Sequence, residues 1–117
     1  MGWRSIIACV VVTIMLAGGQ VLFKLAAESM AERREVSWLS ALLSPWLVVA
    51  ITVYATATIL WIAILAREPL SKAYPFVLAG AALVPLLAYA VFDEPLSARY
   101  WVGMAVVLAG ISLTQSG

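Results

Sequence analysis

Four apolar stretches, Ser5 to Ala27, Pro45 to Ala66, Ala73 to Phe92 and Ala98 to Thr114, occupy most of the chain's 117 residues. Each approaches the ~20 residues a helix needs to cross a hydrocarbon layer, the fourth being the shortest. The composition fits no other environment. The chain is 65% hydrophobic and 11% charged, whereas a water-soluble domain carries about a quarter charged residues. At this length a soluble fold would have one small core, too little to hide so much apolar surface. The expectation is an all-α membrane protein: a four-transmembrane-helix bundle, one integral domain over residues 1–117, with helices at 5–27, 45–66, 73–92 and 98–114. The first stretch is too long for a cleaved signal peptide, and the segment after it, "LFKLAAESMAERRE", lacks a cleavage signature.

Several function classes drop out. A formal net charge of +1 without a basic stripe gives no case for nucleic acid. There is no histidine and only one cysteine, Cys9, so neither a zinc site nor a histidine-based triad nor an internal disulfide is available. No nucleophile and base, and no paired carboxylates, can be placed together inside the spans. The chain therefore reads as a non-enzyme with no metal and no cofactor.

The scarce polar residues are organised. "EPLSKAY" (Glu68 to Tyr74) is nearly repeated as "EPLSARY" (Glu94 to Tyr100). In each copy the residue before proline is pushed out of helical geometry, which ends the preceding helix. Ser71 and Ser97 are then expected to cap the following helices, as Ser44 is ahead of Pro45. One span separates the copies, so they lie on opposite membrane faces. They are either two similar solutions to a hairpin turn or the remnant of an inverted duplication. Charge does not choose an orientation: Arg4, Arg67 and Lys72 lie on one side, and Arg33, Arg34 and Arg99 on the other. Pro85 should kink the third span by leaving the Ala81 carbonyl unpaired, and Gly103 and Gly110 mark a narrow packing seam on the fourth.

The first helix is the most informative. Thr13, Ala17, Gln20 and Lys24 recur every three or four residues and so share a face, which Glu28 extends. Lys24 sits about two turns before the first polar loop. It either faces a cavity or partner, or it snorkels to the headgroups or pairs with Glu28. Gln20, deeper, bonds across a helix interface or lines a polar cavity. No carboxylate occupies the middle of any span, so the deepest ionisable group is basic. A cation at the end of a cavity favours an anion, and phosphate is the membrane-associated candidate.

With "AGGQVLFKLA" in the first helix, "EPLSKAYP" opening the third and "EPLSARYWVGMAVVLAGISL" leading into the fourth, the chain resembles the small members of the drug/metabolite transporter superfamily along nearly its whole length. It is more distantly similar to the small multidrug resistance transporters, whose first helix has a glutamate eight residues before a lysine. Here that position is Leu16. The pattern Gly19-Gln20 with Lys24, and Ala73-Tyr74-Pro75, is similar to the EamA-like branch, which includes paired subunits that flip undecaprenyl phosphate-linked aminoarabinose. The resemblance implies a multi-pass protein of the bacterial inner membrane that moves a polyprenyl-phosphate-linked sugar. It further implies a homodimer, or a heterodimer with a related four-helix subunit, among membrane lipids. On that reading the substrate-binding residues are Lys24 at the phosphate, Gln20 beside it, Tyr74 near the sugar or phosphate, and Thr13 on the same helix face. Arg33 and Arg34 would gather anionic headgroups at the entrance, between Glu32 and Glu35. The competing readings are an exporter of small solutes or drugs without the usual glutamate, and a non-transporting membrane adaptor.

Overall fold

The structure, a computed structural model, describes residues 2–32 and 44–116. Helices are α1 (Trp3–Glu32), α2 (Pro45–Leu65), α3 (Leu70–Leu78), α4 (Leu83–Phe92) and α5 (Ala98–Ser116), with a 3₁₀ turn at Ala79–Ala81 joining α3 to α4. Among the described residues three stretches are long and apolar enough to cross a membrane: Trp3–Glu32, Pro45–Leu65 and Leu70–Phe92. α5, which covers the fourth expected span, has 19 residues and is not among these three. Large aliphatic side chains point outward on every side, with Ile59 69%, Val106 67% and Leu113 73% exposed. Such a surface suits lipid rather than water, and helices keep their backbone hydrogen bonds internal there. The chain is an all-α, multi-pass membrane protein.

α1 and α2 form the firm part of the bundle. Val12, Gly19 and Ala26 are buried on α1, and Ala50, Ala57 and Ile64 on α2. Each set repeats every seven residues, which holds one stripe of a helix against its neighbour. Small residues dominate the stripe, so the two backbones approach closely where lipid offers no hydrophobic drive. The helices run antiparallel. Cys9 and Val12 meet Ile64 and Ala73 in the buried core, while Gly19, further along, lies against Tyr54.

The two repeated motifs fold differently. After α2 the chain reverses tightly, with the N–H groups of Arg67 and Glu68 both bonding the Ile64 carbonyl. Pro69 takes the N-cap position in extended geometry and α3 begins at Leu70. Ser71 is therefore already inside the first turn and does not cap, contrary to expectation. In the second copy Asp93 adopts a left-handed conformation, φ 53°, and closes α4. The chain then runs without regular structure to Ser97, whose Oγ accepts the Tyr100 N–H at 3.1 Å. Ser44 also departs from expectation. It occupies the N-cap position before Pro45, and its carbonyl accepts the Val48 N–H. Its hydroxyl makes no capping bond, because it is turned into a buried position without a partner among the described residues.

The interruption expected from Pro85 is present and lies one turn earlier than the proline itself. The 3₁₀ turn at Ala79–Ala81 tightens the backbone, with the Ala82 N–H bonding the Ala79 carbonyl at 3.2 Å, and so accommodates the bond Pro85 cannot make. It also brings Gly80 against α1, where an added Cβ would lie 2.6 Å from Thr13 Cγ2.

α5 is held at one place. Lys72 Nζ donates to the carbonyls of Thr114 (3.3 Å) and Gln115 (2.9 Å), and Gln115 Nε2 donates back to the Lys72 carbonyl at 2.9 Å. A cation thus meets the free carbonyls of a helix C-terminus, where the helix dipole favours it. No described residue of α5 is buried. Among the described residues the seam expected at Gly103 and Gly110 has no counterpart, since a Cβ at either would meet nothing within 4 Å. Arg4 and Arg67 line a common cleft, so the start of α1, the α2–α3 turn and the end of α5 all gather at one end of the bundle.

Candidate functional site

A groove of about 280 Å³ runs along α1, lined by Thr13, Leu16, Ala17 and Gln20 on that helix, Tyr54 on α2, and Tyr74, Val77, Leu78, Gly80 and Val84 on the broken third span. The structure thus brings three of the expected residues, Thr13, Gln20 and Tyr74, to one place. The spacing of the polar face on α1 explains two of them. Tyr74 arrives because the tight α2–α3 turn starts α3 close to α1, and its ring lies 6.3 Å from that of Trp61. The Thr13 hydroxyl donates to the Cys9 carbonyl at 2.7 Å, so this residue turns its methyl rather than its proton toward Gly80.

Tyr54 is the residue that sequence reasoning missed. Its hydroxyl donates to the Leu16 carbonyl at 3.3 Å and accepts the Gln20 amide N–H. With the Tyr54 proton committed to Leu16, Gln20 must donate, which leaves its amide oxygen as an acceptor. The Tyr54 ring fits because residue 19 is glycine. A methyl there would overlap the ring carbons, and Phe23 packs on the ring at 4.9 Å. The available signal was Gly18-Gly19: a close approach requires a partner, and Tyr54 is the only aromatic in the middle of α2.

Gln20 and Val84 also line a second cleft of about 190 Å³, shared with Val21, Lys24, Ala88, Phe92 and Glu94. The two clefts therefore adjoin along α1, and Lys24 lines the second. Arg4 and Lys24 are separated by about 30 Å of helix, the thickness of a hydrocarbon core. With Arg4 at one edge of such a layer, Lys24 would stand at the other and Gln20 one turn deeper. Lys24 is exposed, and among the described residues it forms no ion pair with Glu28 or Glu94. Glu94, the first residue of the second repeated motif, shares Lys24's cleft. Arg33 and Arg34 lie outside the described residues.

A mostly apolar groove along one membrane-spanning helix, with Gln20, Tyr54 and Tyr74 as its few polar groups and an apolar outer surface around it, fits a small membrane transporter. The comparisons narrow the class. The chain is 32% identical over 111 residues to a "Probable 4-amino-4-deoxy-L-arabinose-phosphoundecaprenol flippase subunit ArnE" of Pseudomonas fluorescens (strain Pf0-1), covering 95% of this chain and 93% of the relative. A protein of the same name from Serratia proteamaculans (strain 568) is 36% identical, with 89% of each chain covered. Another from Aeromonas hydrophila is 33% identical, with 93% of this chain and 95% of the relative covered. The chain belongs to the family of ArnE flippase subunits. It matches no family model and no solved structure.

Proposed function

We infer that this chain is one subunit of a flippase for a polyprenyl-phosphate-linked sugar, working in the bacterial inner membrane as a homodimer or with a related small four-helix subunit. The observation that carries the reading is that two clefts adjoin along α1, sharing Gln20 and Val84, one lined by Tyr54 and Tyr74 and the other by Lys24. A lipid-linked sugar phosphate would leave its prenyl tail in the surrounding hydrocarbon while its head met the few polar groups of these clefts. Lys24 would hold the phosphate by a charge-assisted bond, and Gln20, fixed by Tyr54, would meet the head one turn deeper. The names of the relatives supply the substrate class: an aminoarabinose joined through phosphate to undecaprenol.

The test is binding of undecaprenyl-phosphate-linked sugar to the full chain in lipid nanodiscs. Lys24→Met keeps the side chain's apolar length and removes its charge. It is expected to weaken binding by about tenfold to a hundredfold, the worth of a hydrogen bond to a charged group. Lys24→Arg retains part of the affinity, limited by the planar fork of the guanidinium. Undiminished binding by Lys24→Met at equal folded protein would return this lysine to a snorkelling role.

A further inference from the structure

We propose that Glu94 recognises the cationic amine of the transported headgroup, so that the Lys24 cleft selects lipids whose sugar phosphate also carries an ammonium. The proposal rests on the flippase reading above and adds the residue that distinguishes one lipid-linked sugar from another.

Three observations converge. Lys24 and Glu94 line the same cleft of about 190 Å³, yet among the described residues neither is held in an ion pair. Opposite charges sharing a small cleft without neutralising each other are complementary to a ligand that carries both signs. Both side chains are exposed, so a ligand can reach them, and the rest of the cleft, Val21, Val84, Ala88 and Phe92 with Gln20, offers no competing charge. The position of Glu94 is also built rather than incidental. Asp93, in left-handed geometry, turns the chain back at the end of α4, and the Glu94 N–H reaches the Ala88 carbonyl at 3.4 Å. Helix ends closed in this way tie the residue after the left-handed one to the last turn. Glu94 is thereby kept beside the cleft instead of following the extended chain toward α5.

The ligand chemistry fits the same pattern. In a 4-amino-4-deoxy pentose joined to phosphate at its anomeric carbon, anion and ammonium leave opposite ends of the sugar ring. Lys24 and Glu94 supply the two complementary charges. Gln20, whose amide oxygen is left as an acceptor by its bond to Tyr54, can accept a hydrogen bond from a ring hydroxyl.

The experiment compares two lipids on the full chain in nanodiscs: aminoarabinose-phosphoundecaprenol and the analogue with a hydroxyl at carbon 4, which has nearly the same shape and lacks the charge. The wild type is expected to prefer the amine by about tenfold to a hundredfold. In Glu94→Gln the ratio of the two affinities falls toward one, and in Glu94→Asp part of it survives. Because the readout is a ratio, a general loss of folded protein does not imitate the effect. An undiminished ratio in Glu94→Gln, or a wild type that binds both lipids equally, overturns the proposal while leaving the flippase reading in place. A wild type that binds neither lipid overturns that reading and the proposal with it.

Discussion

The seven residues from Glu68 and the seven from Glu94 share glutamate, proline, leucine, serine and tyrosine in register, and the structure uses them in opposite ways. The first copy closes within hydrogen-bonding distance of α2 and restarts a helix at once, with Pro69 at the N-cap. The second opens into an extended link that ends where Ser97 caps α5. The basic residue differs in register by one position, and with it in role. Lys72 grips the carbonyls at the end of α5, whereas Arg99 stands exposed in the first turn of that helix. A proline fixes only its own φ and restrains the residue before it. What the chain does next depends on what precedes the motif: a helix running on into the turn in one copy, and a left-handed Asp93 in the other.

The comparison can be broken at three points. Lys72→Met removes the cation from the C-terminus of α5 and should loosen that helix by about 1–2 kcal/mol. Amide hydrogen exchange across residues 98–116 would then rise about tenfold, while Arg99→Met leaves it unchanged. Equal effects of the two would mean that α5 is held by something other than its lysine clasp. Ser97→Ala loses a helix cap and is expected to cost about 1 kcal/mol, seen as faster exchange in the first turn of α5. Ser71→Ala, inside a helix already begun, stays within about 0.5 kcal/mol; the reverse order would restore the capping role for Ser71. The smallest effect separates the tyrosines. Tyr74→Phe keeps the packing on Trp61 and should weaken lipid binding about threefold, the scale of one net hydrogen bond. Tyr100→Phe, whose ring lies 5.9 Å from that of Trp101 and lines no groove described here, leaves binding unaltered.

The helices were legible because apolar length is a property of the chain alone, and so was the break imposed by Pro85. The polar face of α1 was legible for the same reason, since Thr13, Gln20 and Lys24 follow the helix repeat. Tyr54 was not, because its importance comes from which stripe of α2 faces α1. The seven-residue spacing of Ala50, Ala57 and Ile64 sets that stripe, and it has meaning only once its counterpart on α1 is known. Glu94 was hidden differently. It reads as part of a turn, and only the left-handed residue before it turns it toward Lys24's cleft. The capping roles given to Ser44 and Ser71 failed because a cap requires both a position and a side-chain direction, and sequence supplies only the first.

The contact between Gly19 and Tyr54 makes two distant positions a single unit of variation. A side chain can be added at 19 only if the ring at 54 moves from its place or is given up, and either releases the Gln20 amide and the Leu16 carbonyl. Substitutions at the two sites are therefore not additive: the second is far less harmful once the first has occurred. A variant such as Tyr54→Ala should tolerate alanine at 19 that the parent chain does not. Along the lineage of such proteins, the pair would change together or not at all.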